Sequence, residues 1–82
     1  MENKRLGVVG IVVEDRESVT AMNRILSDYS DLIIGRMGIP YREREVSVIS
    51  LIVDGSTDAI GAMTGKLGRL PGVQVKSALA TK

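Results

Sequence analysis

Leu6-Gly7-Val8-Val9-Gly10-Ile11-Val12-Val13 carries no charged or hydrogen-bonding side chain, and five of its eight residues are β-branched. Branching at Cβ restricts χ1 and suits extended backbone better than helix, so the stretch reads as a strand. Alternate side chains leave a strand on opposite faces. Leu6, Val8 and Val12 then share one face, and Val9, Ile11 and Val13 the other. Neither face is polar, which implies cover on both sides. A second segment has the same property: Glu45-Val46-Ser47-Val48-Ile49-Ser50-Leu51-Ile52-Val53 sets Val46, Val48 and Ile52 against Ile49, Leu51 and Val53.

Between these runs the sequence predicts a helix and an edge strand. Glu14-Asp15 ends the first run, and Asp15 or Ser18 can cap a helix that starts at 16 or 18 and reaches 28. Val19, Met22, Ile25, Leu26 and Tyr29 recur every three or four residues and lay one apolar stripe along it. Leu32–Ile39 reads as a strand whose internal glycines and following Pro40 suit a sheet edge. Tyr41-Arg42-Glu43-Arg44 is a polar hairpin tip without an Asn-Gly or Asp-Gly signature. After the second apolar strand, Asp54-Gly55-Ser56-Thr57 breaks the run, and Ser56 or Thr57 caps a helix over 57–67 with Ile60, Met63 and Leu67 inward. Internal glycines cost this helix about 1 kcal/mol each. They read as places where it approaches the first helix or the sheet, with Gly68 a left-handed C-terminal residue. Leu70-Pro71-Gly72 turns the chain into a last strand over 73–80, apolar at Val73, Val75 and Leu79.

The order β-α-β-β-α-β with right-handed crossovers specifies an α+β fold. It is a ferredoxin-like βαββαβ sandwich, a four-stranded antiparallel sheet with two helices on one face. Strands one and three, apolar on both sides, take the centre. Two helices cover one face only. The other would leave several Val, Ile and Leu side chains wet, and an apolar patch beyond a few hundred Å² marks an interaction surface. Covering roughly 400 Å² contributes on the order of 10 kcal/mol before association costs. A homo-oligomer, dimer or tetramer, assembled through the sheet is therefore expected.

Eighty-two residues make one domain, 1–82, and a chain of this size buries only roughly 60–65% of its unfolded surface. The sequence has neither cysteine nor histidine. It thus lacks disulfides, a thiolate nucleophile, the usual neutral-pH base and the commonest nitrogen and sulfur metal ligands. Glu14 with Asp15, and Asp54 with Asp58, are carboxylate pairs that could meet a hard cation, but no motif aims either at a cleft. No catalytic residue, metal or cofactor is expected. Gly61-Ala62-Met63-Thr64-Gly65-Lys66-Leu67 fails as a phosphate loop: it is one residue short, and leucine stands where a hydroxyl is needed. The formal charge is +1, with acidic and basic residues interspersed, and aromatics make up 2% of the chain. Without a basic stripe or stacking platform, neither direct nucleic acid binding nor an anionic membrane is expected. The first apolar run is too short to span a bilayer, and a cytoplasmic location is the plain reading.

Gly7–Arg16, Gly35-Arg36-Met37-Gly38-Ile39-Pro40-Tyr41-Arg42 and Thr64–Val73 resemble the small regulators of the iron-only hydrogenase system, the middle segment most specifically. The layout is similar, more distantly, to ACT domains and to the C-terminal domain of nickel-responsive repressors, which share this sheet and assemble through it. The resemblance implies an ACT-like regulatory domain and not an enzyme. Such a domain answers a small-molecule effector through homo-oligomerisation, or serves without a ligand as an interaction or scaffold domain assisting hydrogenase maturation. A hydrogenase-system protein is the implied partner. The chain departs from the nickel repressors in lacking His and Cys. Its first strand, beginning near residue 5, leaves no room for their DNA-binding segment.

ACT-like domains hold an effector near the turn after strand one, here Glu14-Asp15-Arg16-Glu17. Asp15 and Arg16 could supply a charge pair for a zwitterion, and N–H groups at a helix start can receive a carboxylate. The plainer alternative makes Asp15 a cap and Arg16 a solvated charge. Arg36, flanked by small residues in an apolar strand, offers a planar donor fork to a ligand, to a carboxylate across a subunit contact, or to solvent. Arg42 and Arg44 are candidates for partner binding at the hairpin tip, against a merely solvated turn.

Overall fold

The computed structural model describes residues 4–80. Four strands, β1 (Lys4–Val13), β2 (Ile33–Tyr41), β3 (Val46–Ser56) and β4 (Val73–Leu79), alternate with α1 (Val19–Asp28) and α2 (Thr57–Gly68) in the order β1-α1-β2-β3-α2-β4. All pairings are antiparallel and the strand order is β2-β3-β1-β4. The α+β, ferredoxin-like arrangement is the one the sequence predicts. The two strands with apolar residues on both faces are the two central ones.

One face of the sheet builds the core. Val9, Ile11 and Val13 lie beside Ile49, Leu51 and Val53 across the β1–β3 pairing, with Val9 opposite Leu51 and Ile11 opposite Ile49. Met22 and Leu26 from α1, and Ile60, Met63 and Leu67 from α2, close over them. Each such side chain, once fully buried, contributes about 1.5–3 kcal/mol. This layer, not helix propensity, holds two helices that would be marginal alone. On the outer side of the helices the Lys66 ammonium stands 5.0 Å from the centroid of the Tyr29 ring, joining α2 to α1. A hydrogen bond to Tyr29 and the electrostatic attraction of the same group hold the Lys66 amine above its ordinary pKa of 10.5.

The helix starts follow local chemistry. Asp15 accepts the Glu17 N–H at 2.9 Å and so opens a single 3-10 turn, Arg16–Ser18, that leads into α1. Ser18 is no cap. Its buried hydroxyl donates to the Pro71 carbonyl at 2.6 Å and ties the start of α1 to the turn before β4. Ser56 caps α2 by accepting the Ala59 N–H at 3.1 Å.

Several boundaries differ from expectation for identifiable reasons. Asp54-Gly55-Ser56 does not end β3, because β1 begins at Lys4 and offers pairing partners through Ser56. Glu45 does not begin β3. It closes a 3-10 turn, Arg42–Arg44, in the left-handed region at φ 54, its N–H donating to the Arg42 carbonyl at 3.1 Å. Pro40 lies inside β2, where an edge strand tolerates a residue without an N–H. The glycines of α2 do not mediate close packing: a Cβ at Gly61, Gly65 or Gly68 would meet nothing within 4 Å. They border an open hollow between α2 and β4. Gly68 stays helical, and the positive φ falls instead at Gly72, +68.

Candidate functional site

Two features outside the core bear on function, and they meet at one end of the sheet. The first is a polar hollow of about 1070 Å³ where β1 runs into the Asp15 turn and the β2–β3 hairpin ends beside it. Asp15 and Arg16 line one wall, and Tyr41, Arg42 and Glu45 the other. The fold thus brings three of the five sequence-derived site residues together: Asp15, Arg16 and Arg42. Arg44 belongs to the same tip turn but does not line the hollow. Arg36 lies further along β2, exposed and paired with Leu51, on the helix side of the edge strand and away from the hollow.

The hydrogen bonds around the turn define what it can bind. The Asp15 carboxylate is taken by the Glu17 N–H, the Ser18 N–H donates to the Asp15 carbonyl at 3.0 Å, and the Val19 N–H to the Arg16 carbonyl. Glu14 accepts the Gln74 amide at 3.1 Å. The Glu17, Ser18 and Val19 N–H groups at this helix start are therefore engaged internally, with Asp15 acting as a cap. The guanidinium groups of Arg16 and Arg42 line the hollow and are donors suited to a carboxylate or phosphate. Among the described residues no group of three or more Asp, Glu, His or Cys side chains could hold a metal ion. Sequence reasoning missed Tyr41 and Glu45 as wall residues. Neither bears a local signal for it, since the left-handed turn that places Glu45 has no glycine or asparagine to announce it.

The second feature is the sheet face opposite the helices. Leu6, Val8, Val48 and Ile52 on the central strands are exposed there, and so are Met37, Ile39 and Tyr41 on β2. Met37 retains 64% of its surface and Ile39 54%, values unusual for side chains on a sheet. Tyr41 and Val46 sit at the end of this apolar face and also line the polar hollow. The two features are continuous.

A two-layer sandwich with an uncovered apolar sheet face, charged residues at one end of it, no histidine or cysteine, and no metal cluster among the described residues has the make-up of a binding or regulatory module. The sequence profile of the TM1266-like family, iron-only hydrogenase system regulators, matches residues 5–77. The chain belongs to that family, as the resemblance of its three motifs implied, and the family's role is regulatory, not catalytic. Its fold matches the structure of the uncharacterized protein TM1266 from Thermotoga maritima, with 40% identity, a TM-score of 0.90, and coverage of 96% of this chain and 100% of that one. Two more distant likenesses show the fold alone. One is the nitrogen regulatory PII-like protein CPII from Thiomonas intermedia K12, bound to ADP, AMP and bicarbonate, at 12% identity and TM-score 0.52, covering 98% and 96% of the two chains. The other is the de novo designed protein Foldit4, at 14% identity and TM-score 0.59, covering 98% and 99%. A designed neighbour is a reminder that this topology carries no function by itself. No curated protein matches the chain at significance. No helix among the described residues is long and apolar enough to cross a membrane.

Proposed function

We propose that this domain is a small-molecule-responsive regulator of the iron-only hydrogenase system, working in the cytoplasm as a homo-oligomer assembled through the sheet. The observation that carries the reading is that Tyr41 and Val46 belong both to the apolar face and to the polar hollow. A subunit seated on that face stands at the mouth of the hollow. An effector held by Arg16 and Arg42, with Asp15 shaping the turn, then binds the assembled and dissociated states unequally, which is the requirement for regulation. Adenine nucleotides and bicarbonate, the ligands of CPII, join the amino acids as the first compounds to try.

Melting the protein with saturating amino acids, ADP, AMP or bicarbonate tests this. A ligand at about 100 times its Kd adds about 2.7 kcal/mol, which raises the Tm of a domain this size by roughly 10 °C or more. The rise should vanish in Arg16→Gln. A flat response to every compound removes the effector from the reading.

A second reading is favoured by two observations: the Glu17, Ser18 and Val19 N–H groups of the turn are already engaged, and the hollow is wide open. In this version the domain is a ligand-free interaction or scaffold module, with the tip residues Arg42 and Arg44 meeting a hydrogenase-system protein. Anaerobic co-purification that yields an identified maturation or hydrogenase subunit, lost in Arg42→Glu/Arg44→Glu, supports it. Retention of that subunit by the double variant counts against it.

A further inference from the structure

The β-sheet register arranges the open face in rows. Lys76, Gly10, Ser50 and Met37 lie side by side across β4, β1, β3 and β2. On one side of them run Ala78, Val8, Ile52 and Gly35, and on the other Gln74, Val12, Val48 and Ile39. In these rows the charged Lys76 and the polar Gln74 both stand on β4. The apolar patch therefore spans β2, β3 and β1, and its midline is β3.

Two glycines on this face are not required by any neighbour among the described residues. A Cβ at Gly10 would approach only the Lys76 carbonyl oxygen, at 3.9 Å, and one at Gly35 would meet nothing within 4 Å. Neither residue has a positive φ. Glycine weakens a strand, so two unforced glycines mark places where another surface comes close. Gly7 on the same strand is different: a Cβ there would lie 2.5 Å from Leu79 Cδ2.

We propose that a second copy of this chain covers the open face about a two-fold axis running along β3, seating Met37 of each copy over the partner's Gly10. The proposal rests on the sheet being an assembly surface and adds the register of that assembly. Rotation about β3 lays β2 on the partner's β1. Met37 then faces the partner's Gly10, Val8 faces the partner's Gly35, Ile39 faces the partner's Val12, and Ser50 meets its counterpart at the axis. Large side chains oppose small ones at both glycines, and Lys76 stays hydrated at the rim. A two-fold across the strands through the same row would instead stack Met37 on the partner's Met37 and leave Gly10 facing the partner's Gly10, a clash beside a void. Three complete rows about 6.8 Å apart on three strands about 4.8 Å apart, extended by Tyr41 and Val46, give roughly 360 Å² of flat sheet per copy and about 720 Å² for the pair, the size range of weak, reversible assemblies. Packed sheets lie about 30° from parallel, which preserves these contacts best near the central row.

Sedimentation of the full chain and size-swapping variants tests the register. The wild type should be a dimer at micromolar concentration. Gly10→Leu should weaken it by about 100-fold or more, because the new side chain fills space that is open in the monomer and overpacks against the partner copy. Gly10→Leu combined with Met37→Gly in the same chain should restore association to within about tenfold, because the knob and its socket have changed places. A wild type that stays monomeric at millimolar concentration overturns both the assembly reading and this register. A dimer in which the two losses add instead of cancelling overturns the register alone. The chain has no cysteine, so Ser50→Cys provides a second measurement with a short bifunctional thiol reagent. Ser50→Cys should give a covalent dimer and Met37→Cys should not, and the reverse pattern refutes the axis.

Discussion

Replacing Gly72 with alanine should unfasten the turn that carries Asp15. Gly72 has φ +68, and a Cβ there would lie 2.7 Å from Asp15 Cβ and 3.0 Å from the Asp15 backbone nitrogen. Left-handed backbone costs a non-glycine residue about 1–2 kcal/mol before any overlap is considered. The overlap is with the Asp15 Cβ, which no rotamer change can move, and with the backbone beside it, so the Asp15 turn has to move. Two hydrogen bonds cross that gap, from the Glu14 N–H to the Gly72 carbonyl at 2.7 Å and from the Ser18 hydroxyl to the Pro71 carbonyl at 2.6 Å. Each contributes about 1 kcal/mol. The total loss is roughly 2–4 kcal/mol, or a fall of at least ~10 °C in Tm for a domain of this length. Gly65→Ala is the control. It makes the same change inside α2, where the added methyl meets nothing within 4 Å, and it should stabilise by about 0.5–1 kcal/mol. Urea unfolding at one fixed protomer concentration measures both. If Gly72→Ala costs less than about 1 kcal/mol, or the two substitutions change stability in the same direction, the assignment of strain to Gly72 is wrong.

Leu51→Ala, which empties a fully buried central-strand position, should cost about 2–5 kcal/mol in the same assay. Ser56→Ala removes the hydroxyl that accepts the Ala59 N–H and should cost about 1 kcal/mol, with Ser56→Asp restoring most of it. The Lys66 pKa is raised in the fold by Tyr29. Its contribution is therefore fully present below 10.5 and disappears as pH climbs through the higher folded value. Alkaline melts should show wild type losing more stability in that window than Lys66→Gln, and parallel curves would refute the pairing.

Much of this architecture was legible because its decisive signals are local. Two-sided apolarity in Val8–Val13 and Val46–Val53 places both strands in the middle of the sheet, and the stripe Met22–Leu26 needs only a helical period to find its face. The errors arose where distant chain supplied the answer. Ser56 remains in β3 because Lys4 lies opposite, a pairing invisible to a window around Asp54. Ser18 looked like a cap because its true partner, Pro71, is fifty-three residues away. Gly61 and Gly65 have the spacing of a close helix contact, yet the helix turns that side outward. At the candidate site, Asp15 and Arg16 are neighbours in sequence, whereas Arg42 reaches them only because the hairpin ends level with β1. Arg36, a ligand candidate by its chemistry, is sent by the pleat to the helix side of β2, away from the hollow.

The outer margin of β2 has its own consequence. A register shift in its pairing with β3, between Ile33 and Gly35, bends the strand, and Pro40 has no N–H to offer further along. A strand bent at one point and short of a donor at another makes a poor template for another extended chain. Lateral, fibre-like growth is thereby discouraged on that side, in a molecule whose greasy surface would otherwise invite it.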